Sequence, residues 1–179
     1  MAQGANAREA ILDAAEAVVI ESGAGHLTLA AVAAKAGVSK GGLLYHFPSK
    51  EDLLKGMLDR LIQRFDQARK EKAEGLKREA GAQIKATILT YAEGDARKEK
   101  IGSALLAAGA HAPKLLQPAR EDFRRRLEEF MRSGLSFQRA AILFFAFYGL
   151  VFSDLLSLSP LKPQERQAFL RELLALTKP

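Results

Sequence analysis

Residues 28–54 read Thr-Leu-Ala-Ala-Val-Ala-Ala-Lys-Ala-Gly-Val-Ser-Lys-Gly-Gly-Leu-Leu-Tyr-His-Phe-Pro-Ser-Lys-Glu-Asp-Leu-Leu. Thr28 is a natural N-cap for a short apolar helix that Gly37 ends, because glycine accepts the positive φ a tight turn requires. Ser39 caps a second short helix, and Ser49 a third, with Asp52 at its third position. Two helices packed steeply across a short turn tolerate only a small side chain at their contact. Ala33 sits there, four residues before Gly37, and Val32, Val38 and Leu43 fall on the shared inner face. The pattern predicts a helix-turn-helix.

The outward residues of that stretch suit DNA. Lys40 is placed to reach a guanine edge or a phosphate. Gly41 and Gly42 leave the helix surface bare, so it can lie deep in a major groove. They cost roughly 1 kcal/mol each in helix propensity, which a short helix bears poorly without a reason. The exposed helix start at Ser39 favours phosphate. Tyr45, His46 and Lys50 form a polar edge for backbone contacts, and Thr28 reaches the flanking phosphate. By shape alone the same spacing also serves plain packing, with Tyr45 and His46 as ordinary boundary residues.

The remainder reads as helix too. β-branched residues are sparse and apolar residues recur at three and four rather than two. Helices are expected at 6–22, with Asn6 as cap and Glu9 completing a capping box, and at 28–35, 39–45 and 49–73. Five more are expected at 76–93, 96–110, 113–132, 136–157 and 163–177. The fold class is all-α with about nine helices. Its expected divisions are a helix-turn-helix domain at 1–48, a connecting helix at 49–73 and a larger helical domain at 74–179.

Composition narrows the function. The chain has 179 residues, 48% of them hydrophobic, enough for a sizeable core. It has no cysteine, which excludes disulfides and thiolate metal sites. A net charge of +6 favours polyanionic partners without naming one. The polar start carries no secretory pattern, and the longest apolar run, Ala140 to Phe152, is too short to span a bilayer. A cytoplasmic protein without a membrane role is expected. No Gly-x-Ser-x-Gly or His-Glu-x-x-His motif occurs, and His26, His46 and His111 lack metal-ligand spacing. Neither an enzyme nor a metal or other cofactor is expected.

In the larger domain, residues 136–157 carry Phe137, Phe144, Phe145, Phe147, Tyr148 and Phe152. A helix apolar nearly all round must be buried on several sides. One face suits the domain core and another a second copy of the chain, in a four-helix interface with the last helix. Phe144, Phe145, Phe169 and Leu173 are the candidates for that interface, a monomer core being the alternative. A pocket for a small hydrophobic ligand would draw on Tyr91, Leu105, Leu106, His111, Phe123, Phe147, Tyr148 and Phe152, each of which also suits plain core. The arginines at 120 and 124–126, interleaved with Glu121, Asp122, Glu128 and Glu129, read as a solvated, salt-bridged face, with an anion site as the lesser alternative.

Thr28, Val32-Ala33, Ala36-Gly37-Val38-Ser39-Lys40-Gly41, Leu43, His46-Phe47 and Ser49-Lys50-Glu51-Asp52-Leu53-Leu54 together resemble the tetracycline-repressor (TetR) family of bacterial transcriptional regulators. The resemblance covers about the first 55 residues closely and the rest only in helix number and order. It implies an all-helical homodimer on a palindromic operator in double-stranded DNA, with a ligand cavity in the second domain and repression relieved by ligand. The family usually has tyrosine where this chain has Leu44, which suits a thymine methyl instead. The backbone role passes to Tyr45, His46 and Lys50, and Gly42 leaves base readout thin. A helical small-molecule-binding or interaction protein of the same fold, without specific DNA binding, is the other reading.

Overall fold

The computed structural model describes residues 2–76, 79 and 81–178. Among the described residues the chain forms nine α-helices and no strand. They are α1 (Ala2–Ser22), α2 (Leu29–Ala36), α3 (Lys40–His46), α4 (Lys50–Gly75), α5 (Ala82–Ala92), α6 (Ala96–His111), α7 (Gln117–Met131), α8 (Phe137–Leu155) and α9 (Pro163–Ala175). Short 3₁₀ turns precede α2 and α7. The chain divides into two compact units, Met1–Leu61 with Ala96–Ala119 and Ile62–Asp95 with Arg120–Pro179.

Local chemistry sets most of the first unit's boundaries. The Thr28 hydroxyl accepts from the Ala31 amide at 3.1 Å, and Gly37 closes α2 at φ 67°. The Val38 amide then donates to Ala33 at 3.1 Å, which fixes the turn. Ser39 accepts from the Gly42 amide at 3.0 Å and Ser49 from the Asp52 amide at 3.1 Å. Val32, Ala33, Leu43, Phe47, Leu53 and Met57 are buried, with Ile11, Leu12 and Ala15 of α1. α6 packs on α1, and its Ile101 and Leu105 are buried as well. Gly56 lets α4 approach Phe47, since a Cβ there would stand 2.7 Å from that ring.

Three expectations are corrected. α1 begins at Ala2, so Asn6 lies inside the helix and does not cap it. The Glu9 carboxylate instead meets Arg60 at 3.2 Å. The helix expected over 76–93 starts at Ala82, after Gly81 at φ 70°; residues 77, 78 and 80 of that stretch lie outside the described residues. A Cβ on Gly81 would stand 2.7 Å from the Thr177 carbonyl oxygen, so the backbones approach as only glycine allows. The helix expected over 113–132 is a 3₁₀ turn at Pro113–Leu116 followed by α7, with Pro118 near the start of α7, where a missing N–H costs nothing.

The second unit is built around α8. Ala140, Leu143, Phe144, Phe147 and Leu150 of that helix join Ile84 and Ile88 of α5, Phe130 of α7, and Leu170 and Leu173 of α9 in one buried cluster. Ser136 caps α8, accepting from the Arg139 amide at 3.4 Å, and the Glu165 carboxylate accepts from the Lys162 amide at the head of α9. The apolar run from Ala140 to Phe152, expected to be too short to span a bilayer, lies within α8, whose 19 residues are by length and composition enough to cross one. One side of it, however, is committed to this cluster.

Candidate nucleic-acid interface and ligand domain

α3 presents a small open surface. Lys40, Gly41, Gly42, Tyr45 and Lys50 are exposed, with Thr28 and Ser39 beside them, while Leu44 and His46 are half-buried. Tyr45 is 84% exposed, an unusual position for a large aromatic ring with no structural task. Its only ring contact among the described residues is the edge of His46, at 5.1 Å between centroids and 83° between planes. The Thr28 and Ser39 oxygens accept backbone N–H groups as caps. A hydroxyl that accepts in this way keeps its own O–H to donate, so each cap can also serve a phosphate.

The two glycines have different reasons. A Cβ on Gly41 would meet nothing closer than Ser39 Oγ at 3.9 Å, so the space outside it is open for a ligand. A Cβ on Gly42 would stand 3.3 Å from the same oxygen. Gly42 therefore keeps the Ser39 cap uncrowded as well as leaving the surface bare.

Of the eight residues expected at a ligand pocket, five meet in the second unit. Phe123 lies 4.3 Å from Tyr148, 5.5 Å from Phe144 and 5.6 Å from Phe152, and Tyr91 packs on the edge of Phe147 at 5.5 Å, all between ring centroids. The Tyr91 hydroxyl donates to Asp154 at 2.7 Å, and Arg166 Nε donates to the same oxygen at 2.8 Å. Burial first, and then that bond to Asp154, push the Tyr91 phenol well above its usual 10.0. Leu105, Leu106 and His111 lie on α6 in the first unit, where Leu105 is buried and His111 exposed.

The residues expected at a subunit interface also separate. Phe144 and Leu173 are buried in the unit's own cluster, and Phe169 packs half-buried against it. Both buried residues sit on helix faces turned into that cluster. Phe145 alone of the four is widely exposed, at 67%.

The interleaved charges of α7 form a salt-bridged face on which Arg120, Glu121, Arg124, Arg125 and Glu128 are exposed, and Arg126 is the exception. Arg126 is buried and donates to Asp122 at 2.8 Å and to Asp66 of α4 at 2.7 Å. Arg125 reaches Asp66 at 2.7 Å and also pairs with Asp122, and Arg69 reaches Asp66 at 3.2 Å. Burial alone would raise the Asp66 carboxyl. Arg126, the Arg69 hydrogen bond and Arg125 outweigh it and hold the group below its usual 3.8. A depressed folded pKa stabilises above the unfolded value and is lost as pH falls through the folded one. The melting temperature should therefore fall below about pH 4, and Asp66→Asn should flatten that acid limb while lowering the plateau at neutral pH. Parallel melting curves against pH for the two proteins would contradict this role for Asp66.

Two family models match the chain. Residues 11–57 fit "Bacterial regulatory proteins, tetR family", and residues 77–178 fit "Tetracyclin repressor-like, C-terminal domain". The chain belongs to the TetR family. The HTH-type transcriptional repressor BepR of Brucella suis biovar 1 (strain 1330) is 42% identical over 59 residues, 33% of this chain and 28% of BepR. The match thus spans under a third of that repressor. The candidate transcriptional regulator SCO7518 of Streptomyces coelicolor A3(2) shares the fold at a TM-score of 0.75, with 22% identity over 97% of this chain and 99% of that one. The multidrug binding protein EbrR complexed with malachite green aligns at a TM-score of 0.73, with 25% identity over 96% and 98%. In this TetR-family chain the links that sequence reasoning missed are Arg60 to α1 and Asp66 to α7. Each joins residues more than forty positions apart, and no local pattern signals such a pair.

Proposed function

We propose that this TetR-family chain is a cytoplasmic, DNA-binding transcriptional repressor that works as a homodimer on a palindromic operator. The observation that carries the reading is the surface of α3: exposed Lys40, Tyr45 and Lys50, a bare Gly41, and two cap hydroxyls with an O–H to spare. Lys50, Tyr45, His46, Thr28 and Ser39 take phosphates. Lys40 reads a base edge, Leu44 offers contact to a thymine methyl, and Gly41 and Gly42 admit the groove. Two half-sites on a palindrome lie about 34–36 Å apart, one DNA turn, so the dimer sets the spacing.

The partner surface we assign is the outer stripe of α8. Ile142, Phe145, Gly149, Phe152 and Leu156 are exposed and recur at alternating steps of three and four, the spacing of a helix–helix seam. A second copy of the chain fits it better than a bilayer, because the opposite side of α8 is sealed in the unit's core. For the signal, the aromatic group around Phe123 and Tyr148 suits a hydrophobic molecule, as EbrR carries malachite green. Such a ligand would act by shifting α4, which runs unbroken from Lys50 to Gly75. A coupling of about 1–3 kcal/mol is enough to switch operator affinity.

Gel shifts on a palindrome from the neighbouring promoter test the DNA reading. Affinity should fall steeply with salt, because each phosphate contact releases counterions. Lys50→Ala should weaken binding to all sequences alike, whereas Lys40→Ala should change sequence preference. Absent or salt-independent binding rejects the regulator in favour of an interaction protein of the same fold. Equal losses on every operator for both variants reject base reading by Lys40.

A further inference from the structure

Arg8 of α1 is held beside the end of α3 by an aromatic ring. Its guanidinium carbon stands 5.3 Å from the centroid of Phe47. That ring is buried, and it closes α3, its own N–H donating to the Leu43 carbonyl at 2.8 Å. A cation attracted to a ring through its charge spends none of its N–H donors on the contact. Arg8 is therefore oriented with its donors still to offer.

The polar contact it does make is weak. Arg8 Nη1 meets Oε1 of the neighbouring Glu9 at 3.4 Å, with the two side chains 44% and 53% exposed. An exposed pair of that length contributes little and exchanges readily. The other Glu9 oxygen pairs with Arg60 at 3.2 Å, so Glu9 stays anchored when Arg8 turns to another partner. Asp13 stands about 140° further round the helix and pairs with Arg60 at 2.7 Å.

Phe47 joins Arg8 to the polar edge of the helix-turn-helix. His46 precedes the ring in the chain. Lys50 follows three residues after it, at most about 11 Å of backbone, and is exposed at the head of α4. Each strand of duplex DNA carries one phosphate per about 3.4 Å of axis, so cations this close meet the same stretch of backbone.

We propose that Arg8 is a phosphate-binding residue of the operator complex, a role that rests on the DNA-binding function proposed above. It adds α1 to a footprint made by α2, α3 and the head of α4. Arg8 takes a different phosphate from Lys50, exchanging the long Glu9 contact for a shorter charge-assisted one. Such a contact positions the head and carries no sequence information.

The test is fluorescence anisotropy of the full-length protein on the palindrome from the neighbouring promoter, across a salt series. Arg8→Gln should weaken binding about tenfold or more. It should also flatten the slope of log K against log salt by about 1 for each head engaged. Arg8→Lys should restore the slope, because the charge is kept. The urea midpoint of both variants should move by less than about 0.5 M, since only an exposed contact with the ring is changed. A single neutral methylphosphonate, walked along one half-site, then locates the contact. At one position it should weaken the parent and Lys50→Ala while leaving Arg8→Gln unchanged. An Arg8→Gln protein with the parent's salt slope, or with the parent's losses at every methylphosphonate, overturns the assignment and leaves Arg8 as a cover for Phe47. If Lys50→Ala still weakens binding in that case, only the role of Arg8 is lost. A parent that does not bind, or binds without salt dependence, removes the DNA-binding function and Arg8 with it.

Discussion

Arg60→Ala should destabilise the first unit by about 3–5 kcal/mol, the usual cost of breaking a buried ion pair from one side. Arg60 lies on α4 with a side chain 7% exposed, and it holds three carboxylates of α1. Its nitrogens reach Glu16 at 2.6 Å, Asp13 at 2.7 Å and Glu9 at 3.2 Å. Burial works against the Arg60 charge, but Glu16, Asp13 and Glu9 together raise its pKa above the usual value, so it stays ionised. Glu16 is the partner that suffers most from its removal, being only 2% exposed, with Arg97 at 3.6 Å as a weaker neighbour.

Such a loss is a large part of the roughly 5–15 kcal/mol that holds a domain folded. With a urea dependence of about 1–3 kcal/mol per molar, the midpoint should fall by about 2 M. Arg60→Lys should lie between, because a single ammonium cannot fork to three carboxylates. Arg60→Met with Glu16→Leu should recover most of the stability, since neither charge is then left buried alone. A midpoint change under half a molar for Arg60→Ala would remove this clasp from the account of the fold.

The same clasp shows what sequence can and cannot disclose. Thr28, Gly37, Ser39 and Ser49 were readable because a cap is a contract between residues two or three apart. The helix-turn-helix and its exposed residues follow from those caps and from the small Ala33. Glu9 was misread for the same reason: beside Asn6 it satisfies a local capping pattern, yet the helix runs back to Ala2 and Glu9 turns to Arg60. Arg126 was misread as a surface charge because its i, i+4 spacing from Asp122 looks complete without Asp66. α8 posed the opposite difficulty. A helix apolar nearly all round has no periodic signal to say which face is core. Neighbouring Phe144 and Phe145 therefore looked alike, although one is 2% and the other 67% exposed.

That difference between neighbours predicts opposite outcomes for two adjacent substitutions. Phe145→Asp places a carboxylate in the middle of the Ile142, Phe145, Gly149, Phe152, Leu156 stripe. If a second copy packs there, each phenylalanine contributes about 150–250 Å² of buried surface, and a charge in its place finds no partner. Gly149 has nothing within 4 Å of where a Cβ would stand, which leaves room for the closest approach of the partner helix. Phe145→Asp should therefore sediment as a monomer at concentrations where the parent is a dimer. Its melting should change little per protomer, because the ring was mostly exposed already. Operator affinity should fall by about 10²–10⁴, since two heads no longer share one tether. Phe144→Ala should do the reverse, costing about 3–5 kcal/mol of stability through the cavity it leaves, with the dimer lost only on unfolding. A Phe145→Asp protein that still sediments as a dimer and binds the palindrome as tightly as the parent would move the subunit interface off the outer face of α8.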